Sequence, residues 1–214
     1  MSFVNFEKKE INFKIVYYGP ALSGKTTNLE YLHSAMPKDV RGEMTVLSTA
    51  QDRTLFFDFL PLESRAIKGF ISRFQLYTVP GQTIYNRTRR LVLAGVDGVV
   101  FVADSQWSCM ENNAVSFANL RENLKSYKRD LDVIPCVLQL NKRDLSAIAP
   151  VAYLEFLLNQ GKTRAPSIEA VASKGVGVGD CLNMICKMAM AGFIEEHKMS
   201  MDDFVVGRQL AVAK

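Results

Sequence analysis

The segment Gly19-Pro20-Ala21-Leu22-Ser23-Gly24-Lys25-Thr26 constrains this chain more than any other. It matches G-x-x-x-x-G-K-[ST]. It also follows an apolar, β-branched run at residues 11–18 (INFKIVYY) and precedes a stretch of helical period at residues 25–34, closed by Pro37. A glycine-rich loop between strand and helix curls the backbone so that successive N–H groups face phosphate oxygens. The helix that follows adds its positive dipole end. Lys25 is expected to reach the β- and γ-phosphates and the Thr26 hydroxyl to ligate Mg²⁺. We take Gly19, Pro20, Ala21, Leu22, Ser23, Gly24, Lys25, Thr26 and Thr27 as nucleotide-binding residues. The loop specifies a nucleoside triphosphate but not its base.

Apolar runs of strand length alternate with helical stretches along the rest of the chain. Strands are expected around residues 45–48 and 73–79, with the apolar segment 55–60 between them as a strand or a partner surface. Residues 98–103 (GVVFVA) and 134–140 (IPCVLQL) are continuous apolar runs, the pattern of strands buried on both faces. Helices are expected at 111–129 and 181–196, and a short strand at 168–172. Such alternation predicts an α/β fold: a mostly parallel central sheet with helices on both faces, binding its ligand at the carboxyl ends of the strands. Gly175–Gly179 reads as the entry to the last helix, with Asp180 as its N-cap.

Two further motifs fall at such strand ends. Asn141-Lys142-Arg143-Asp144 follows a buried strand. A carboxylate at Asp144 can accept from the ring N–H and the exocyclic amine of guanine, a pair that adenine lacks. Thr78-Val79-Pro80-Gly81-Gln82 closes another strand. Gly81 allows a backbone N–H close to a γ-phosphate, and Gln82 is placed to orient an attacking water.

These three motifs in this order are those of Ras-like small GTPases. The finer pattern Leu47-Ser48-Thr49, Asp52-Arg53-Thr54-Leu55-Phe56-Phe57-Asp58-Phe59-Leu60-Pro61-Leu62, Thr78-Val79-Pro80-Gly81-Gln82 and Asn141-Lys142-Arg143-Asp144 resembles the MglA-type bacterial GTPases, over residues 3 to about 187. The resemblance implies a Ras-like P-loop fold and several further roles. Arg53 matches a built-in arginine finger, catalytic together with Gln82 and Lys25. Thr54 matches the switch threonine that closes over Mg²⁺ and the γ-phosphate, a metal ligand beside Thr26. Ala172 and Ser173 match a loop whose backbone N–H groups contact the guanine oxygen. Thr78 stands where most Ras-like proteins have Asp, a change the MglA type shares, so the metal is expected to be held more weakly or through water, with help from Asp58. Ala21 stands where Gly is usual, and its methyl is expected to slow hydrolysis. The resemblance further implies a Roadblock-type MglB activator and a role in cell polarity and surface motility.

The remaining features narrow the setting. Net charge is +4 with the basic residues scattered, which gives no footprint for nucleic acid. Cys109, Cys136, Cys181 and Cys186 follow no metal-ligand spacing, consistent with a reducing compartment. We see no signal peptide, no apolar run of membrane-spanning length and no lipidation motif. A cytoplasmic protein is therefore expected, monomeric alone and recruited to a pole or membrane only through partners. His33 and His197 are given no catalytic role. Residues 1–198 are expected to form the GTPase domain and 199–214 a C-terminal extension. Two other functions are compatible with a phosphate loop. One is a GTP-loaded recruitment scaffold with negligible hydrolysis. The other is a P-loop kinase, against which Asn141-Lys142-Arg143-Asp144 counts because a kinase has no use for a base-reading motif.

Overall fold

The computed structural model describes residues 3–38, 41–49, 52–67 and 70–197; the side chains of residues 3, 46–49, 52–67 and 83 lie outside the description. So does the expected extension at 199–214. The strands are β1 (Phe3–Asn5), β2 (Glu10–Tyr18), β3 (Thr45–Thr49), β4 (Asp52–Ile67), β5 (Phe70–Thr78), β6 (Gly98–Asp104), β7 (Cys136–Asn141) and β8 (Ser167–Glu169). The helices are α1 (Lys25–Ala35), α2 (Asn86–Leu93), α3 (Met110–Lys125), α4 (Val151–Leu158) and α5 (Val178–Glu196).

All eight strands form one sheet, in the order β3-β4-β5-β2-β6-β7-β8, with β1 beside β2. The pairs β2–β5, β2–β6, β6–β7 and β7–β8 are parallel, whereas β1–β2, β3–β4 and β4–β5 are antiparallel. After β2 the chain builds outward on one side as far as β3 and returns through β4 to β5. It then crosses to the other side for β6. The order therefore reverses at β2, and the crevice at a reversal is where such sheets bind ligands.

Strand periodicity sorts the core into two halves. Ile11, Phe13, Ile15 and Tyr17 of β2 pack with Leu29 and Leu32 of α1 and with Ile185, Ala189 and Phe193 of α5. Val16 and Tyr18 of the same strand face Val92 and Leu93 of α2, Phe117 and Leu120 of α3 and Leu154 of α4. Strands buried on both faces explain the unbroken apolar runs of β6 and β7. Phe13 lies fully buried, stacked on Phe74 at 5.1 Å and edge-on to Phe193 at 5.7 Å. Truncating such an aromatic costs about 3–5 kcal/mol.

The segment 55–60, left open as a strand or a partner surface, lies inside the sixteen-residue strand β4. Two expectations are corrected. The helix expected over 111–129 ends at Lys125. Asp180 is not the N-cap of α5: Gly177 holds that position at φ 71°, and Asp180 sits in the first turn, where its charge still favours the helix dipole.

Candidate nucleotide site

β2 delivers the chain to Gly19 at the sheet reversal, and α1 opens at Lys25, so the phosphate loop spans the gap between them. Its curl requires unusual backbone. Gly24 has φ 101°, and a Cβ there would fall 2.2 Å from Nδ2 of Asn141. Leu22 adopts φ 61° although it is not glycine, and its side chain stands 89% exposed. A bulky residue in that conformation stores about 1–2 kcal/mol, and such strain concentrates at functional sites. Lys25 is buried and arches back, its Nζ donating to the Pro20 carbonyl at 2.6 Å. Pro20, Ala21 and Leu22 form the crest of the loop, and Thr26 and Thr27 begin α1.

Asn141 ends β7 and joins the loop to a second segment. Its Nδ2 donates to the Ser23 carbonyl at 2.7 Å, and its Oδ1 accepts from the Ala172 backbone N–H at 2.9 Å. Ala172 and Ser173 open a single turn closed by Gly175 at φ 75°. One buried amide thus fixes the phosphate loop and the 172–174 turn relative to each other. Arg143 anchors the motif from behind, through Glu169 at 2.8 Å and the Ala149 carbonyl at 2.7 Å. Asp144 is left at the surface, 3.1 Å from Lys174. That ammonium holds the Asp144 carboxyl below the usual carboxylate range, so the group stays charged. Lys142 has φ 65° and pairs with the buried Asp104 at 2.6 Å. Asp104 is itself held through its backbone by Asn113 of α3.

β5 brings Thr78, buried, and then Gly81 and Gln82 against the phosphate loop. A Cβ on Gly81 would lie 2.3 Å from N and 2.4 Å from Cα of Ala21, so glycine alone permits this contact. Gln82 is exposed and lines, with Pro20, Ala21, Gly81, Arg89 and Ser116, a cavity of about 390 Å³ beside the loop. Arg53, Thr54 and Asp58 lie on β4; their side chains are outside the described residues.

Among the described residues no group of three or more His, Cys, Asp or Glu side chains could hold a metal. The hydroxyls of Thr26 and Thr78 are hard oxygen donors, which suit Mg²⁺ when phosphate and water supply its other ligands. Donors of that chemistry suit a metal that arrives with the nucleotide; Thr54, the second expected ligand, has its side chain outside the described residues. The structure thus brings together the residues predicted at 19–27, 78–82, 141–144 and 172–173. Sequence reasoning missed the residues that brace them: Asp104, Asn113, Lys174 and the reciprocal pair Asn28–Gln139, bonded twice at 2.8 Å between α1 and β7. Of these, only Lys174, next to Ser173, and Asn28, next to Thr27, adjoin a motif.

No family model matches the chain. The chain is 52% identical over 190 residues to the "Mutual gliding-motility protein MglA" of Myxococcus xanthus (strain DK1622), covering 89% of this chain and 96% of that protein. An identity of that size across nearly the whole of both chains, joined to a glycine-rich loop at a sheet reversal with Asn141-Lys142-Arg143-Asp144 beside it, means that the chain belongs to the MglA family of Ras-like P-loop GTPases.

Proposed function

We propose that this chain is a GTP-hydrolysing switch that cycles between GTP and GDP. The observation that carries the reading is the Asn141 amide, which ties the phosphate loop to the Ala172 turn with Asp144 alongside, so that phosphates and guanine meet one rigid frame. Asp144 accepts from the guanine ring N–H and exocyclic amine, and the backbone N–H groups of Ala172 and Ser173 reach its oxygen. Lys25 exchanges the Pro20 carbonyl for phosphate oxygens when GTP enters. Gln82 orients a water in line with the γ-phosphorus. The bond from that phosphorus to the β-phosphate bridging oxygen breaks, releasing GDP and phosphate. Lys25 and Arg53 neutralise the charge that gathers on the leaving oxygens. Mg²⁺, held by the Thr26 and Thr54 hydroxyls with Thr78 behind, would supply further charge neutralisation.

Loss of the γ-phosphate frees Thr54 and Gly81, and the altered surface is what a partner reads. Leu22, Ile84 and Leu91 are 89%, 77% and 64% exposed around this edge, which supports an apolar partner face. By family, that partner is a Roadblock-type MglB activator and the output is polarity and gliding motility, with a cytoplasmic monomer recruited to a pole through partners. No helix among the described residues is long and apolar enough to cross a membrane.

The scaffold reading, GTP held without turnover, has Ala21 on its side, since that methyl stands on the wall it shares with Gln82. Single-turnover GTP hydrolysis separates the two. Wild type, Gln82→Ala and Arg53→Ala are compared with and without an MglB-type protein. Partner-stimulated turnover that both substitutions abolish establishes the hydrolytic switch; tight GTP binding with no turnover in any condition establishes the scaffold.

A further inference from the structure

A partly buried polar network connects the residue before the phosphate loop to the helix after Gln82. Tyr18 immediately precedes Gly19 and is fully buried. Its hydroxyl donates to Oδ1 of Asn119 at 2.6 Å and accepts from Nδ2 of Asn123 at 3.2 Å. Both asparagines lie one turn apart on α3. Each donates to the same atom, Oδ1 of Asn86, at 3.0 Å from Asn119 and 2.8 Å from Asn123. Asn86 is the first residue of α2 and stands four residues after Gln82.

The need for such a tie follows from how α2 is packed. The helix has eight residues, and its buried apolar anchors, Val92 and Leu93, are both at its carboxyl end. Toward its amino end Ile84 is exposed, and among the described residues no side chain caps the helix. The end nearest Gln82 is therefore held by amides rather than by apolar packing. Arg89, one turn on, is also buried and lies over the Tyr18 ring at 5.9 Å. Directional bonds shielded in part from water fix geometry more tightly than apolar contact does.

We propose that Tyr18, Asn119, Asn123 and Asn86 are positioning residues for hydrolysis: they latch the start of α2 to α3 and so hold Gln82 in register with the phosphate loop. This rests on the reading of Gln82 as the residue that orients water. The four residues act through Gln82 and touch neither nucleotide nor water.

The chemistry of the latch dictates the variants. Asn86 contributes only an acceptor, so Asn86→Asp preserves it, whereas Asn86→Ala removes it while favouring the helix. Tyr18→Phe breaks the link from the other end. Two measurements are made on each protein: amide exchange at residues 82–93 with a non-hydrolysable GTP analogue, and single-turnover hydrolysis alone and in a Gln82→Ala background. Asn86→Ala and Tyr18→Phe are expected to speed exchange at 82–88 and slow hydrolysis about tenfold, with GTP affinity unchanged. Asn86→Asp should match wild type in both. In the Gln82→Ala background the latch substitutions should slow hydrolysis no further. The latch is overturned if exchange at 82–88 is unmoved, or if Asn86→Ala slows hydrolysis equally with and without Gln82. A wild-type rate indifferent to Gln82→Ala sinks the role given to Gln82 instead, while exchange still decides whether the network holds α2.

Discussion

Asn141 shows how one side chain sets the geometry of a site made from three segments. Its two bonds bridge 118 and 31 positions of sequence, and its amide is buried. Asn141→Ala leaves the Ser23 carbonyl and the Ala172 N–H without this partner, a cost of about 2–4 kcal/mol. We expect a lower melting temperature and a nucleotide dissociation rate faster than wild type by at least about tenfold, read by release of a fluorescent GDP analogue. Gly81→Ala tests the opposite wall. A Cβ there meets backbone, which cannot yield, so the 80–83 segment must leave the loop. GDP affinity should stay within about threefold of wild type, since GDP carries no γ-phosphate for this segment to reach, while hydrolysis falls at least about tenfold. Asp144 carries a pH prediction. Lys174 lowers its pKa, so the carboxylate persists down through the ordinary range and is lost only below it. The part of GDP affinity that Asp144→Ala removes should persist down through the ordinary carboxylate range, and Lys174→Ala should move its acidic loss upward.

At the scale of elements, β4 divides in two. From Phe59 to Ile67 it pairs with β5 inside the sheet, whereas residues 52–58 pair with β3 alone among the described residues. A two-stranded ribbon is marginal without a third strand or a helix against it. Arg53 and Thr54 ride on that ribbon. Amide exchange at 52–58 should be faster than at 59–67 with GDP and slow on binding a non-hydrolysable GTP analogue; equal protection in both states would contradict a switch here. This division was only partly legible beforehand. The apolar stretch 55–60 was visible, but its pairing depends on residues up to β5. The missed helices have physical reasons too. α2 (NRTRRLVL) buries Arg89 where a helical pattern would show an apolar residue, and α4 (VAYLEFLL) is too uniformly apolar to show any period. The phosphate loop and Asn141-Lys142-Arg143-Asp144 were readable because their chemistry lies in consecutive residues. The pair Asn28–Gln139 was not, because its members are 111 residues apart and each alone is an ordinary amide.

For the whole molecule, the site gathers loops from both halves of the core. The phosphate loop joins β2 to α1, Gln82 leads into α2 on the opposite face, and residues 141–144 and 172–173 flank β8. A ligand that touches all of them binds only the folded chain, so occupancy adds directly to global stability. At a hundredfold excess over Kd this amounts to about 2.7 kcal/mol, which for a chain of this length raises the melting temperature by about 5–10 °C. On the proposed reading of guanine by Asp144, the rise is selective. With Mg²⁺ and GDP the wild type should gain that shift, and xanthosine diphosphate should produce almost none. Asp144→Asn should exchange the two responses, because an amide at that position can donate to the extra xanthine oxygen where a carboxylate repels it. The exchange of responses is the decisive part. A loss of both shifts would mean that the substitution damages the fold, and an unchanged preference for GDP would mean that the base is read by some group other than Asp144.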